Sequence, residues 1–240
     1  LHKEWLDRIQ PNVKNGSFHE FKRNVAKIVE DFDNIPLTAE KKPRVAIVGE
    51  ILVKYSPIAN NNIVRVLENE GAEVVCPDIV GFMNYSLYNQ VYKYDHLGGS
   101  KKSKVLAELA IKMIRLCEKP MNEALKNSER FDGIEAIEQI ADGAQDILSL
   151  GNQTGEGWFL TGEMVESLQN GVNNIVCMQP FGCLPNHVVG KGVVKELRSK
   201  YPMANIALVD YDPSLSFVNQ LNRIRLMLAT AKKNMTESVN

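Results

Sequence analysis

Cysteine is scarce in this chain: Cys76, Cys117, Cys177 and Cys183 are the four in 240 residues, at uneven spacing. That pattern excludes the dense disulfide framework of a small secreted domain and suits a reducing cytoplasm. No cysteine and histidine fall at the spacing of a zinc site. An excess of one charge is also lacking, since 28 basic and 29 acidic side chains leave a net charge of -1. There is accordingly no electrostatic footprint for nucleic acid or for an acidic membrane surface. No apolar run approaches the roughly 18 residues of a spanning helix. The opening Leu1-His-Lys-Glu-Trp5 has neither an initiator Met nor the apolar stretch of a signal peptide. A processed product, or a piece of something longer, is the expectation. No Walker-type loop occurs. Gly155-Glu-Gly157 with Gly162 does not space as a dinucleotide fingerprint, and Glu156 would repel a phosphate.

What the chain does contain is ordinary for a globular protein, with 44% hydrophobic and 24% charged residues. Residues 1–42 read as a polar helical segment and a charged linker, with Trp5, Phe21, Val25 and Val29 at helical spacing. Residues 43–240 read as a Rossmann-like α/β domain with an open parallel sheet of about four strands. The β-branched runs Arg44-Val-Ala-Ile-Val-Gly49, Ala72-Glu-Val-Val-Cys76, Asn174-Ile-Val-Cys-Met178 and Ile206-Ala-Leu-Val209 are its strands. Residues 50–56 continue the first as a strand end or loop. A helical insertion at about 82–150 separates the second strand from the third. It comprises an aromatic-rich helix over 82–94, a long helix over 101–119 that Pro120 breaks or kinks, and a further helix over 134–150. Shorter helices are expected over 163–170 and 192–201, and a last one over 213–231, with a frayed tail beyond Lys232.

In such a sheet, ligands gather outside the carboxyl ends of the strands. Four segments leave the sheet there, and the one around Cys183 is the most unusual. Gly182 permits a tight turn, Pro185 prevents an immediate helix, and Asn186 and His187 follow near a helix start. A thiolate in that turn suits a soft metal or an iron–sulfur cluster. It also suits a nucleophile with His187 as its base, and a buried structural cysteine fits equally. Cys177 falls inside a strand and is expected to pack. Cys76 ends a strand and is a weaker candidate ligand, and Cys117 belongs to the helical insertion. Gly190-Lys-Gly192 opens a helix and could receive an anion. Glu50, Lys54 and Glu156 are the candidate catalytic groups, the two carboxylates as acid and base if burial raises them. Trp158 joins them as a candidate wall of the same cleft.

The wording of these segments carries more than their periodicity. Val48-Gly-Glu-Ile-Leu-Val-Lys-Tyr55 with Ala59-Asn-Asn-Asn-Ile63 resembles the large fused CoA-substrate-specific enzyme activases. So do Leu150-Gly-Asn-Gln-Thr-Gly-Glu-Gly-Trp-Phe-Leu-Thr-Gly-Glu-Met164 and Asn173-Asn-Ile-Val-Cys-Met-Gln-Pro-Phe-Gly-Cys-Leu-Pro-Asn-His187. Asp210-Tyr-Asp212 and Asn219-Gln-Leu-Asn-Arg223 complete a resemblance that spans about residues 44–228. In that family, ATPase modules are fused to a region similar to 2-hydroxyacyl-CoA dehydratase subunits. That region carries a 4Fe-4S or double-cubane cluster, which receives a low-potential electron driven by ATP hydrolysis.

The resemblance implies the C-terminal part of the dehydratase-like region, with Cys183 a cluster ligand and Phe181, Gly182, Asn186, His187 and Trp158 around the cofactor. The other ligands would lie upstream of Leu1. It further implies the upstream half and the ATPase modules of the same polypeptide as partners, and an acyl-CoA or other small molecule as substrate. A homodimer through the aromatic helix is left open. The rival reading is a non-catalytic α/β interaction or small-molecule binding domain with a structural cysteine.

Overall fold

The computed structural model describes residues 1–37, 41–212 and 216–237. Two helices open the chain, α1 (His2–Asn15) and α2 (Phe18–Asp33). Ser17 caps the second by accepting from the Glu20 N–H. The indole of Trp5 donates to Asp31 at 3.1 Å and ties the pair together. Strand β1 (Arg44–Gly49) leads into α3 (Ile51–Tyr55) and α4 (Ile63–Asn69), and then β2 (Glu73–Val75). The helical layer follows as α5 (Ile79–Leu97), α6 (Lys101–Lys126) and α7 (Ile137–Gln145). The α/β pattern resumes with α8 (Gly157–Gln169), β3 (Asn174–Pro180) and the single turn α9 (Leu184–Asn186). A π-helical turn, His187–Lys191, then precedes α10 (Val194–Lys200), β4 (Asn205–Tyr211) and α11 (Phe217–Glu237).

The sheet runs β2-β1-β3-β4 and every pairing is parallel, as expected of buried β-branched strands joined by helical crossovers. Alternation along each strand divides the core. Ala46, Val48, Ile175 and Cys177 face α8 and α10, whereas Val45, Ile47, Val176 and Met178 face α4 and α11. A third core, around Tyr85, Ile140, Trp158 and Phe159, joins the helical layer to α8. The N-terminal pair docks on that layer too: Ser128 donates to Asp33, and Arg130 donates to the Phe32 and Ile35 carbonyls. Among the described residues, no helix is long and apolar enough to cross a membrane.

Several boundaries differ from expectation. Residues 50–56 are not a strand end or loop but a turn of helix, because the Glu50 carboxylate accepts the Val53 N–H at 2.8 Å. The helix expected over 163–170 starts six residues earlier, at Gly157. All of it except Glu166 and Gln169 is buried, so no polar face marks its period. Pro120 does not break α6, which packs against α5 and α2 and continues to Lys126. The last helix reaches Glu237, past the expected frayed tail, with Met227 and Leu228 packed on the sheet and Ala231 buried. Its expected start, Pro213, lies outside the described residues, as does Glu40 of the expected linker.

The tightest point of the sheet is Gly49, which lies at φ 144°, in a region that favours glycine. A Cβ there would stand 2.0 Å from the Met178 carbonyl oxygen. Gly49→Ala is expected to destabilise the fold by about 4 kcal/mol or more, measured by urea unfolding. A loss within about 1 kcal/mol would show that the strands separate freely here.

Candidate functional site

The carboxyl ends of β1 and β3 are joined through Gly49. The next amide, Glu50 N–H, donates to the Met178 carbonyl at 3.0 Å. Its side chain is the cap of α3 and therefore points into the backbone. Glu156 closes the arrangement from before α8. It is 7% exposed and accepts the Ile51 N–H through Oε1 at 3.1 Å. In the orientation that satisfies both ends of its amide, buried Asn186 donates to Glu156 Oε2 at 3.0 Å and accepts from Glu50 N–H at 3.3 Å. The Glu156 carboxylate, the Glu50 N–H and the Asn186 amide thus hold three segments together, while the Glu50 carboxylate caps its own helix.

Lys54, on the next turn of the same helix, is 3% exposed and donates to Glu163 Oε1 at 2.5 Å. Burial works against its ammonium, but the Glu163 carboxylate and neighbouring Tyr55 outweigh it and hold Lys54 protonated above its ordinary range. Complete burial pushes the Glu163 carboxyl up, against the pull of Lys54. Tyr55 donates to the Pro77 carbonyl, and burial raises its phenol to about 12. The Asn60 amide donates to the Val53 carbonyl at 2.8 Å and also to that of Lys54, fixing the end of the turn. Breaking a buried pair by removing one partner leaves an uncompensated charge.

Cys183 occupies the turn after β3. Gly182 has φ 74°, and the Cys183 N–H returns to the Pro180 carbonyl at 3.2 Å. Cys183 is half-buried, with Phe181, Leu184 and Val188 around it in sequence at 69%, 74% and 50% exposure. The His187 ring is turned to other partners. Its Nδ1 lies 2.7 Å from the Cys183 carbonyl and so carries the proton, and its Nε2 faces Lys191 Nζ at 3.4 Å. Among the described residues no hydrogen bond joins the thiol to the imidazole, so the geometry is not that of a cysteine–histidine nucleophile pair.

The π-helical turn brings Lys191 to Asp210 at the end of β4, at 2.9 and 3.0 Å, and buried Gln179 donates to the same carboxylate at 2.6 Å. Burial works against the Asp210 carboxylate, but the Gln179 and Lys191 hydrogen bonds prevail and lower it. The glycines flanking Lys191 have steric reasons: Gly190 packs on Cys177 Sγ, and a Cβ on Gly192 would meet the Val188 carbonyl at 2.4 Å. π-turns of this kind concentrate at functional sites.

The other candidates fall elsewhere. Trp158 is fully buried in the third core, its indole donating to Asn89 and its ring edge-on to Tyr85 and Tyr88. It walls no cleft at the rim. Cys177 is buried within β3, and its thiol is pushed up to about 12. Cys76 directly follows β2, where desolvation pushes its thiol up against the pull of Lys54, an environment that disfavours the thiolate. Cys117 lies exposed on α6. Glu163 and Gln179 escaped the sequence reading, although carboxylates in the largely apolar run of residues 158–168, Glu163 and Glu166, are a visible signal for a buried partner.

Among the described residues no three His, Cys, Asp or Glu side chains are placed to hold a metal ion together. Comparison with protein-family models, with curated proteins and with solved structures finds no match.

Two outcomes follow from the ion pairs. Lys54→Met alone should cost about 3–5 kcal/mol in urea unfolding. Lys54→Met combined with Glu163→Leu should recover most of it, and a double variant no better than the single would show that the pair is not the cause. Asp210 is lowered from its ordinary 3.8, so its contribution to stability is present above that value and lost as pH falls below it. Asp210→Asn should therefore flatten the acid limb of melting temperature against pH; an unchanged limb would remove Asp210 from the account.

Proposed function

We propose that this chain supplies one face of a shared iron–sulfur site, with Cys183 as its single thiolate ligand. The observation that carries the reading is the setting of Cys183: a half-buried cysteine in a glycine turn at the carboxyl rim of a parallel sheet, with exposed Phe181, Leu184 and Val188 near it in sequence. Such a cluster normally takes several thiolates. The described residues fit one corner of it and not the whole, so the remaining ligands come from another part of the polypeptide or from another chain. The exposed apolar side chains are what a covering partner would bury, and a dry cover would shield the cluster from solvent.

Under this reading the protein belongs to an ATP-driven, low-potential electron-transfer system similar to the 2-hydroxyacyl-CoA dehydratases and their fused activases. Its partners are the upstream dehydratase-like half and the ATPase modules, its substrate an acyl-CoA or related small molecule, and its compartment a reducing cytoplasm. Glu50, Glu156 and Asn186 position the Cys183 turn, and Lys54 with Glu163 anchors α3 behind it. Gln179, Lys191 and Asp210 set the charge beside it. The short supply of ligands favours a second reading, in which the same apolar rim is an interaction surface and Cys183 is structural.

Anaerobic reconstitution with ferrous iron and sulfide, done on this chain together with the part that carries the remaining ligands, separates the two. Iron uptake with a visible charge-transfer band is expected, lost in Cys183→Ala and retained in Cys76→Ala. Uptake indifferent to Cys183, or none by the unaltered protein, favours the interaction surface.

A further inference from the structure

Helix α6 carries two apolar faces where one is expected. Ala107 and Ile111 are buried, on the side that packs against α5. A surface helix that buries one stripe is ordinarily polar on the other side. Here the other side holds Leu106, Leu109, Met113 and Leu116, with Val105 beside them, each between 52% and 60% exposed. Their alternating spacing of three and four residues is that of a seam that meets another helix. The stripe runs about 17 Å, the length of three turns. Beside its carboxyl end, α6 and the start of α2 enclose a groove of about 880 Å³. Met113, Leu116 and Pro120 wall it on one side, and Phe18, Lys22 and Ala26 on the other. An exposed apolar patch of this continuity marks an interaction surface.

The border of this face decides what covers it. Lys101 and Lys102 stand at its amino end, Lys112 flanks its middle, and Lys22 and Lys119 line the groove. The nearby carboxylates of α6, Glu108 and Glu123, lie within ion-pair distance of Lys104 and Lys119. Lys22 rests over the Phe18 ring, and among the described residues Lys22, Lys101, Lys102 and Lys112 enter no ion pair. An apolar seam with an unpaired basic border is complementary to a helix that is apolar on one face and acidic along its edges. A second copy of the chain lacks that complementarity. Antiparallel pairing about the middle of the stripe brings the two Lys112 side chains together, and parallel pairing sets every lysine beside its equivalent. A lipid surface would meet the stripe but not a groove walled on both sides.

We infer that α6 and the start of α2 form the docking face for an acidic amphipathic helix of a partner protein. Apolar side chains of that helix pack along Leu106, Leu109 and Met113 and enter the groove beside Phe18. Its carboxylates meet Lys22, Lys102 and Lys112. No residue of this face belongs to the Cys183 turn, so the docking face and the cluster site stand or fall separately.

Fluorescence anisotropy of a labelled helical peptide tests the inference, with leucines along one face, glutamates along its edges and alanines elsewhere. A second peptide carries lysine in place of each glutamate. Saturable binding is expected for the acidic peptide, weakening as salt rises, and none for the basic one. Leu109→Ser and Met113→Ser change exposed side chains and should leave the urea midpoint in place. Each should weaken the acidic peptide about tenfold or more. Lys102→Glu combined with Lys112→Glu should weaken it as well. Absence of saturable binding, equal binding of the two peptides, or affinity unmoved in these variants would overturn the proposal. Sedimentation with phosphatidylserine vesicles that Leu109→Ser abolishes would overturn it in favour of a membrane. A dimer in analytical ultracentrifugation that the same variant dissociates would overturn it in favour of a second copy.

Discussion

The contact on which the carboxyl rim depends is the approach of β1 to the Met178 carbonyl at Gly49. A side chain at that position would force the two central strands apart. Because it is glycine, Glu50 can hydrogen-bond across to β3 and begin a helix at once. That helix carries the cap, the bond from Ile51 to Glu156 and the buried Lys54 in five residues. The loop before α8 and the turn after β3 are then fixed to it through Glu156 and Asn186. One backbone approach thus sets the placement of three segments far apart in sequence.

Energetically, the rim joins polar groups of high cost into pairs. Glu156, Asn186, Lys54 and Glu163 are each less than a tenth exposed, and each has a partner supplied by a different element. A buried ion pair does little for net stability against an apolar substitute, but half of one is strongly destabilising. The arrangement therefore specifies how the loops meet more than how firmly the sheet holds.

The four strands were legible in the sequence because buried parallel strands are uninterrupted β-branched runs. Arg44–Gly49 and Asn174–Pro180 show this most clearly. The start of α8 was not, because a helix buried on nearly every side has no polar face to mark its turns. The Glu50 turn was obscure for another reason: its cap is an unusual residue, and its last support arrives from Glu156, more than a hundred positions away. Cys183, Glu50 and Lys54 were recognisable as unusual residues just beyond strand ends, and Glu156 as one in the loop before a helix. Their roles were not, because a carboxylate that caps backbone and one that moves a proton look alike in sequence. Trp158 illustrates the same limit, since an aromatic residue in a glycine-rich stretch gives no sign of whether it faces a cleft or a core.

The two tryptophans occupy separate layers. Trp158 is sealed against Tyr85 and Tyr88 under the helical layer, and Trp5 is buried between α1 and α2, bonded to Asp31. With no third indole in the chain, intrinsic emission carries two signals of different origin. Replacing either tryptophan by phenylalanine would leave the other as a reporter of its own layer. Comparing the two unfolding curves would then show whether the first two helices melt together with the sheet or ahead of it.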